Sequence, residues 1–385
     1  MIIKSSNRIK HIKPYYFASK MAQISEMNSI GMDVLNIGIG SPDLGPDKSI
    51  IAKLNEASGI KTNHGYQSYK GIEELRQSFS EWYLSHFNTR INANDEIQIL
   101  AGSKEGIMHI AMSFLNTGDK VLIPDPGYPT YSAASRLAGA EIIKYNLKEE
   151  NNWMPDFKSI ERLDLKDVKI MWVNYPHMPT GAKGSIELFQ ELISFAKKHQ
   201  ILLVNDNPYN FILNNSPISI MNIKGAKEVA MELVSLSKTY NMAGWRIGAL
   251  IGAKEYIDEV IKFKSNMDSG MFKPLQLAGA KALKLDKSWV DKLNDIYLKR
   301  REKVWEIMDL LNCTYDTQSS GMFVWGKVKN NKNDEELIEN ILQKARVFIT
   351  PGRIFGENGK GYLRISLTNS IDKLQEAKNR IIKII

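Results

Sequence analysis

The sequence predicts an α/β protein whose central sheet is mostly parallel and is covered by helices on both faces. Short, almost continuously apolar runs rich in β-branched residues are typical of buried strands, and they lie at 96–102, 120–126, 169–176 and 201–209. Amphipathic segments that indicate helices lie between them, at 103–116, 128–139 and 185–200. Strands and helices that alternate in this way form a sheet between two helical layers.

The pattern changes toward the carboxyl end of the chain. Residues 246–253 predict a further strand and 254–266 a further helix, and the periodicity of 288–312 predicts a long helix that could connect two domains. Short strands are then predicted at 321–328, 347–352 and 361–368, with helical stretches between and after them, as in a smaller α+β domain. The segment before Leu44 lacks the alternating pattern. We therefore predict a large domain at 45–287 and a small, discontinuous domain formed by 1–44 and 288–385.

The composition of the 385 residues limits the possible classes of protein. Hydrophobic residues make up 43% and charged residues 24%, without the ~18 continuous apolar residues of a membrane span. The net charge is +8, but the basic residues are scattered among acidic ones and do not form a block, which disfavours a nucleic-acid partner. The first residues lack a sustained apolar stretch, so no signal peptide is expected. A single cysteine, Cys313, and scattered histidines fit a cytoplasmic protein without a metal site.

Several well-known motifs are missing. The glycine spacing in GIGSPDLG (38–45) does not match a dinucleotide-binding turn, which disfavours a nicotinamide-dependent oxidoreductase. The segment GAKGS (181–185) is too short for a P-loop. The chain contains neither a His-Glu-x-x-His zinc motif nor the Gly-x-Ser-x-Gly motif of serine hydrolases.

Polar residues follow several predicted strands, at the edge where an open α/β sheet binds ligands. Ser103 opens a helix directly after a strand, which suits either phosphate binding or a simple helix cap. Tyr128 follows another strand and suits either stacking on a planar ring or packing in a core. Asp206 ends an apolar strand, where a carboxylate is costly unless a cation or a donor pairs with it. A protonated pyridine nitrogen about 4 Å away would contribute about 4 kcal/mol at an effective dielectric constant of ~20.

The segment SLSKTYNMAGWRIG (235–248) carries the most unusual lysine of the sequence. Lys238 follows an apolar run among small and hydroxyl side chains, and burial there would lower its pKa and provide a neutral nucleophilic amine. Ser235, Ser237 and Arg246 suit the binding of a phosphate dianion. Arg364, among apolar neighbours in 361–368, suits either a substrate carboxylate or an edge strand that faces water.

Taken together and in this order, these residues resemble the class I/II aminotransferases, which are fold-type I enzymes that use pyridoxal 5′-phosphate (PLP). The resemblance extends from NIGIGSPDLGPD (36–47) to YLRISLTNS (362–370), and 235–248 is its most specific part. The segments GSKEGI (102–107) and SNMDSGMFKPLQLAGAKAL (265–283) are most similar to the branch that contains LL-diaminopimelate, alanine and aspartate or methionine aminotransferases. The resemblance implies a large domain with a mostly parallel seven-stranded sheet and a smaller α+β domain.

The resemblance also implies a role for each candidate residue. Lys238 would bind PLP covalently and transfer the substrate α-proton. The other implied cofactor contacts are Asp206 at the pyridinium nitrogen, Tyr209 at the phenolate oxygen of the ring, Tyr128 on the ring face, and Ser103, Lys104 (mainly through its backbone amide), Ser235, Ser237 and Arg246 at the phosphate, and Asn174 is a further cofactor-binding residue. Arg364 would bind the substrate α-carboxylate, together with Gly40 and Asn174. Tyr66 would reach the phosphate in a neighbouring subunit, which implies a homodimer with shared active sites.

The sequence departs from the family pattern at two places. The usual Asn-Pro-Thr-Gly is Met178-Pro179-Thr180-Gly181, so the asparagine that contacts the cofactor ring oxygen is absent. The usual Asp-Glu-x-Tyr is Asp206-Asn207-Pro208-Tyr209, which retains the aspartate and the tyrosine.

The predicted activity is therefore amino transfer between an L-amino acid and a 2-oxo acid, with 2-oxoglutarate and glutamate expected as one pair. A PLP-dependent C–S β-lyase on the same fold is the alternative. A nucleic-acid- or effector-binding regulator is a further alternative, but the strand–helix pattern begins too early to leave room for an appended DNA-binding domain.

Overall fold

The computed structural model describes residues 2–10, 12–329 and 334–385. Residues 1, 11 and 330–333 lie outside this description, within the ranges predicted for the small domain. The helices are α1 (Asn7–Lys10), α2 (Tyr16–Ser29), α3 (Lys48–Ser58), α4 (Glu73–Phe87), α5 (Ser103–Phe114), α6 (Pro129–Leu137), α7 (Phe157–Ile160), α8 (Ile186–His199), α9 (Ala226–Val229), α10 (Leu236–Thr239), α11 (Lys254–Ser265), α12 (Lys273–Leu283), α13 (Ser288–Leu310), α14 (Asp334–Asn340) and α15 (Ile371–Ile382). None of them is both long enough and apolar enough to cross a lipid bilayer.

A seven-stranded sheet forms the centre of the molecule. The strands of the chain are β1 (Leu35–Asn36), β2 (Ile97–Leu100), β3 (Lys120–Asp125), β4 (Glu141–Asn146), β5 (Val168–Val173), β6 (Leu202–Asp206), β7 (Ala230–Ser235), β8 (Gly248–Gly252), β9 (Cys313–Tyr315), β10 (Phe323–Val328), β11 (Val347–Phe348), β12 (Thr350–Pro351) and β13 (Tyr362–Ser366). The central sheet has the order β2-β8-β7-β6-β5-β3-β4, and β8 runs antiparallel to both of its neighbours while the other pairs are parallel. This confirms the predicted α/β class and the mostly parallel sheet.

Both faces of the central sheet are buried against helices, which explains why its strands are almost continuously apolar. Along β3, Val121 and Ile123 pack into a core with α5, α6 and α11, while Leu122 between them packs into the core on the opposite face. That opposite core includes α4, α8 and α12. Each fully buried aliphatic side chain contributes roughly 1.5–3 kcal/mol. The alternation therefore stabilises both helical layers from a single strand.

Two smaller sheets are formed by the two ends of the chain. Strands β12, β13, β10 and β9 make an antiparallel sheet in that order, and β1 pairs in parallel with β11. Residues of α13 and α15 pack on these strands in a third hydrophobic core. The pairing of β1 with β11 joins the amino-terminal segment to the carboxyl-terminal part, although the division into 45–287 and 1–44 plus 288–385 stays a prediction.

The differences from the predicted elements have local causes. The strand expected at 246–253 begins only at Gly248, because Arg246 has a left-handed backbone with φ of 57°. Helices α2, α3, α4 and α12 and strand β4 are observed where no element was predicted. Strand β4 lies at the edge of the sheet and has largely exposed side chains, so it lacks the apolar run that marks the inner strands.

Candidate active site

A cavity of about 420 Å³ lies where the carboxyl ends of the parallel strands meet residues of the antiparallel sheet. The predicted residues that line it are Gly40, Ser103, Lys104, Tyr128, Asn174, Asp206, Tyr209, Ser235, Ser237, Lys238, Arg246 and Arg364. Tyr66 is not among the described residues that line the cavity, and its side chain is 94% exposed. The structure thus brings together every predicted site residue except the one expected to act in another subunit.

Lys238 lies on α10, the single helical turn that follows β7. The hydroxyl of Ser235 caps this turn by accepting a hydrogen bond from the backbone N–H of Ser237 at 3.1 Å. The Lys238 Nζ donates to the carbonyl oxygen of Gly40 at 2.8 Å. Burial, followed by the nearby charges of Arg364 and Arg246, lowers the pKa of Lys238 to about 8. A substantial fraction of this amine is therefore neutral near pH 7–8, as a nucleophile or a proton acceptor requires.

Asp206 ends β6 inside the cavity wall. Its Oδ2 accepts a hydrogen bond from the hydroxyl of Tyr131 at 2.9 Å, whereas its buried Oδ1 has no partner among the described residues. Burial raises the pKa of Asp206 to about 7, and the hydrogen bond from Tyr131 and the nearby Ser103 hydroxyl act in the opposite direction. An unpaired buried carboxylate oxygen is unfavourable, and a protonated ring nitrogen would satisfy it. This orphaned acceptor fits the pyridine ring of PLP.

An anion-binding end of the cavity is formed where α5 begins beside Arg246. The Arg246 Nη1 donates to the carbonyl oxygen of Ala243 at 2.8 Å and to the Ser237 hydroxyl at 3.4 Å. Gly102 precedes α5 with φ of 82°, and a Cβ there would lie 1.9 Å from the Arg246 Nη2. Backbone amides at a helix start, hydroxyl groups and a guanidinium together suit a phosphate dianion.

Asn174 holds the loop that follows β5. Its Nδ2 donates to the backbone carbonyl oxygen of Asp206, and its Oδ1 accepts from the backbone N–H of Met178 at 2.7 Å. Both ends of the Asn174 amide are therefore engaged within the chain, although the residue lines the cavity. The side chain of Met178, at the position of the family's asparagine, places its Sδ 3.3 Å from the Arg364 Nη1.

Arg364 is buried on β13, an inner strand of the antiparallel sheet, so the edge-strand alternative is wrong. Its guanidinium carbon lies 3.9 Å from the ring centroid of Phe323, 4.7 Å from that of Phe355 and 5.5 Å from that of Phe17. Its Nη2 donates to the carbonyl oxygen of Gly38 at 3.0 Å, and its buried Nε has no partner among the described residues. Burial lowers the pKa of Arg364 to about 10, so it stays charged at neutral pH. A carboxylate is the natural partner for this enclosed cation.

Aromatic side chains form most of the remaining wall. Tyr128 directly precedes α6 and packs edge-on against Tyr131 at 5.5 Å, and Tyr209 packs edge-on against Phe323 at 5.8 Å. Sequence reasoning missed the wall residues Tyr15, Phe17, Ile39, Tyr131, Phe323 and Phe355. The aromatic run Tyr15-Tyr16-Phe17 was the available signal, but nothing in the sequence places it beside residues some hundred positions or more away. The described residues contain no group of His, Cys, Asp and Glu side chains that could hold a metal ion.

Comparison with known proteins assigns this arrangement to a family. The family model described as aminotransferase class I and II matches residues 32–381. The chain belongs to this family. This aminotransferase is 39% identical over 378 residues to the LL-diaminopimelate aminotransferase of Aquifex aeolicus, with 98% of each chain covered. It is also 39% identical to the Maridesulfovibrio salexigens protein of the same name, with 99% of each chain covered.

Solved structures agree with this assignment. The aminotransferase superimposes on substrate-bound BacF from Bacillus subtilis with a TM-score of 0.95 at 32% identity, covering 99% of this chain and 98% of that one. An aminotransferase from Staphylococcus aureus gives a TM-score of 0.90 at 29% identity, with 98% of each chain covered. The enzyme is a PLP-dependent transaminase, and the expected family, fold and cofactor are confirmed.

Proposed function

We propose that this PLP-dependent aminotransferase moves an amino group between an L-amino acid and a 2-oxo acid, with glutamate and 2-oxoglutarate as one substrate pair. The observation that carries the proposal is the pairing, within one cavity, of the low-pKa amine of Lys238 with the enclosed guanidinium of Arg364. An amine that can act on an α-carbon and a cation that can bind an α-carboxylate are what this reaction needs.

The proposed cofactor contacts follow the chemistry of the cavity wall. Asp206 would hold the pyridine nitrogen through its free Oδ1, and Tyr209 would donate to the ring oxygen. Tyr128 would cover the ring face. The phosphate would be bound by Ser103, the backbone amide of Lys104, Ser235, Ser237 and Arg246. When bound, PLP supplies an electron-withdrawing ring that lowers the barrier to removing the substrate α-proton.

Different residues of the chain would transfer the proton and position the substrate. Lys238 Nζ would attach the cofactor and, once released, accept the proton of the substrate α-carbon. Arg364 would fix the α-carboxylate, with Gly40 and the Asn174-supported loop closing the same side of the cavity. The rings of Phe323, Phe355 and Phe17 around Arg364 would exclude water and strengthen that ion pair.

Lys104 supports glutamate and 2-oxoglutarate as a substrate pair. Its side chain lines the cavity, and its Nζ lies 4.2 Å from the ring centroid of Tyr15. The described residues provide no ion-pair partner for this ammonium. A second carboxylate on the substrate would pair with it while the first occupies Arg364.

A cytoplasmic homodimer is the proposed form of the enzyme. The loop that carries Tyr66 packs against 267–272, where His64 and Phe272 rings lie 5.4 Å apart, and the exposed apolar residues of this surface are Ile60, Tyr66, Tyr69, Met267 and Phe272. An exposed apolar surface of this kind suits a second copy of the chain. Sedimentation of the purified enzyme should give twice the mass of the chain, and a monomer would contradict the proposal.

A two-way spectral experiment tests the activity. Adding L-glutamate to the PLP-loaded enzyme should abolish the absorbance band of the lysine-bound cofactor, and adding 2-oxoglutarate after glutamate is removed should restore it. Lys238→Arg should show neither change, while Lys284→Arg, at an exposed position, should behave like the wild type. Release of pyruvate and ammonia from an amino acid without any 2-oxo acid would instead select the β-lyase alternative.

A further inference from the structure

A second buried arginine, Arg300 on α13, joins three parts of the chain outside the cavity wall. It is 4% exposed, and it donates to both carboxylate oxygens of Asp43, from Nη1 at 2.7 Å and from Nη2 at 2.9 Å. The same Nη1 donates to the carbonyl oxygen of Leu367, directly after β13, at 3.0 Å. A two-point pair of this kind fixes direction as well as distance. Arg300 therefore holds the segment that contains Asp43 against the end of the strand that carries Arg364.

The segment 38–43, between β1 and α3, turns two backbone carbonyl oxygens toward basic residues of the site. The Gly38 oxygen accepts a hydrogen bond from the Arg364 Nη2 at 3.0 Å. The Gly40 oxygen accepts one from the Lys238 Nζ at 2.8 Å. The orientations of the guanidinium and of the amine thus both depend on one short piece of backbone.

This segment also packs directly on the antiparallel sheet. A Cβ at Gly40 would overlap the ring of Phe323, so no side chain separates the backbone from that ring. The ring centroid of Phe323 lies 3.9 Å from the guanidinium carbon of Arg364. A displacement of the segment would therefore move the aromatic contact of Arg364 as well as its hydrogen bond.

Both ends of the segment are anchored. At the amino-terminal end, the Gly38 oxygen also accepts a hydrogen bond from the Thr350 hydroxyl at 2.8 Å. At the other end, beyond Gly40, the anchor is the ion pair of Asp43 with Arg300. Breaking this pair would release one end of the segment and leave the other end in place.

We propose that Arg300, acting through Asp43, is a positioning residue for the reaction. By fixing the segment 38–43, the pair sets the orientations of Arg364 and Lys238. This inference rests on the function proposed above, which assigns substrate binding and proton transfer to these two side chains. Neither member of the pair is among the described residues that line the cavity, so the pair acts on the site through the backbone that it holds.

The glutamate half-reaction tests this role. Asp43→Asn removes the negative charge and one of the two acceptors, so the two-point pair is lost. The ratio of maximal rate to half-saturating concentration should fall at least about 10-fold, because small displacements of positioned groups are costly to the reaction. An unchanged ratio would overturn the inference.

A double variant separates positioning from stability. Asp43→Asn leaves the buried charge of Arg300 without a carboxylate, so the melting temperature should fall. Adding Arg300→Met removes that charge, and the double variant should regain most of the lost melting temperature. Its catalytic ratio should stay at least about 10-fold below that of the wild type, because neither side chain can hold the segment. A ratio that recovers together with the melting temperature would show that the pair only stabilises the fold.

Hydrogen–deuterium exchange provides a readout that does not depend on turnover. Peptides that cover 38–45 should exchange at least about 10-fold faster in Asp43→Asn and in the double variant, whatever the melting temperature of either. Peptides from β5 and β6 should keep their wild-type rates. Wild-type exchange across 38–45 would show that the ion pair does not fix the segment.

A second aspartate–arginine pair provides the matched control. Arg380 of α15 donates to the carboxylate of Asp33 at 2.6 Å and to its carbonyl oxygen at 2.6 Å, which joins the residues before β1 to the last helix. Asp33→Asn should leave the catalytic ratio and the exchange of 38–45 within about 2-fold of the wild type. Equal losses in Asp33→Asn and Asp43→Asn would overturn the specific role of Arg300.

Failure of this inference can be told apart from failure of the proposed function. If wild type and Asp43→Asn react with glutamate equally well, the positioning role is wrong and the aminotransferase activity stands. If the wild-type enzyme does not react with glutamate, the proposed function and the role that rests on it both fail.

Discussion

The guanidinium of Arg364 lies 3.9 Å from the ring centroid of Phe323, inside a wall that leaves the arginine Nε without a partner among the described residues. The charge is thus held away from water but is not neutralised by any acidic group of the cavity wall near it. Binding of an anion beside this buried, unpaired cation would be strongly favourable, and the proposed ligand is the α-carboxylate of the substrate.

Replacing Arg364 by lysine should therefore weaken substrate binding more than it changes the cofactor. A lysine keeps the charge but loses the planar pair of donors, and we expect the half-saturating concentration of every amino acid to rise about 100-fold. The measurement is the concentration dependence of the glutamate half-reaction. Arg301→Lys, at a half-buried arginine above Trp305, is the matched control. An unchanged concentration dependence in Arg364→Lys would place the carboxylate elsewhere.

Gly102→Ala should weaken PLP binding. The new Cβ would lie 1.9 Å from the Arg246 Nη2, and φ of 82° is unfavourable for alanine, so both the guanidinium and the start of α5 must move. We expect the dissociation constant of PLP, measured by fluorescence titration of the cofactor-free enzyme, to rise at least about 10-fold. Gly45→Ala serves as the control, because a Cβ at Gly45 would have no atom within 4 Å. Equal affinities in the two variants would contradict the proposed phosphate site.

The rate at which the cofactor-free enzyme captures PLP should increase with pH. Burial lowers the pKa of Lys238 to about 8, and only the neutral amine attacks an aldehyde. The neutral fraction is about 1% at pH 6 and about half at pH 8, so the capture rate should rise roughly 50-fold over this interval and level off above pH 9. Stopped-flow absorbance measures the rate. A rate that continues to rise toward pH 10.5 would show an unperturbed lysine.

Asp206→Asn should stabilise the cofactor-free enzyme at pH 8 while it weakens PLP binding. Burial raises the pKa of Asp206 in the folded protein to about 7, above its ordinary value of 3.8. Between these two pH values the folded state binds the additional proton, so the stability contributed by this group falls as pH rises toward 7 and is constant above it. Asparagine carries no charge to desolvate.

Thermal unfolding checks this prediction. The melting temperature of the cofactor-free Asp206→Asn variant should exceed that of the wild type by a few degrees at pH 8, with a smaller difference at pH 5. PLP should raise the melting temperature of the wild type more than that of the variant. A variant that is less stable than the wild type at pH 8 would mean that the Asp206 carboxylate is satisfied without the cofactor.

The residues at strand ends could be located from the sequence because the fold itself brings them together. Once 201–209 and the segment before Lys238 are parallel neighbours, Asp206 and Lys238 must lie at the same edge of the sheet. Tyr15 and Phe17 could not be located in this way, because α2 and the segment before it approach the cavity through tertiary packing that no local pattern encodes.

Other features depend on atomic detail that a residue pattern does not carry. Asn174 was expected to contact the cofactor and the substrate. Its side-chain amide instead forms hydrogen bonds with the backbone of Asp206 and of Met178. The consequence of methionine at 178 also emerged only from the structure, as a contact between its Sδ and Arg364.

Borohydride reduction of the PLP-loaded enzyme, followed by peptide mass mapping, identifies the lysine that binds the cofactor. Reduction fixes the cofactor to the amine that holds it. We expect a single pyridoxyl group on Lys238 in the wild-type enzyme, and no pyridoxyl group at position 238 in the Lys238→Arg variant. A pyridoxyl group on another lysine in the wild-type enzyme, with Lys238 unmodified, would contradict it.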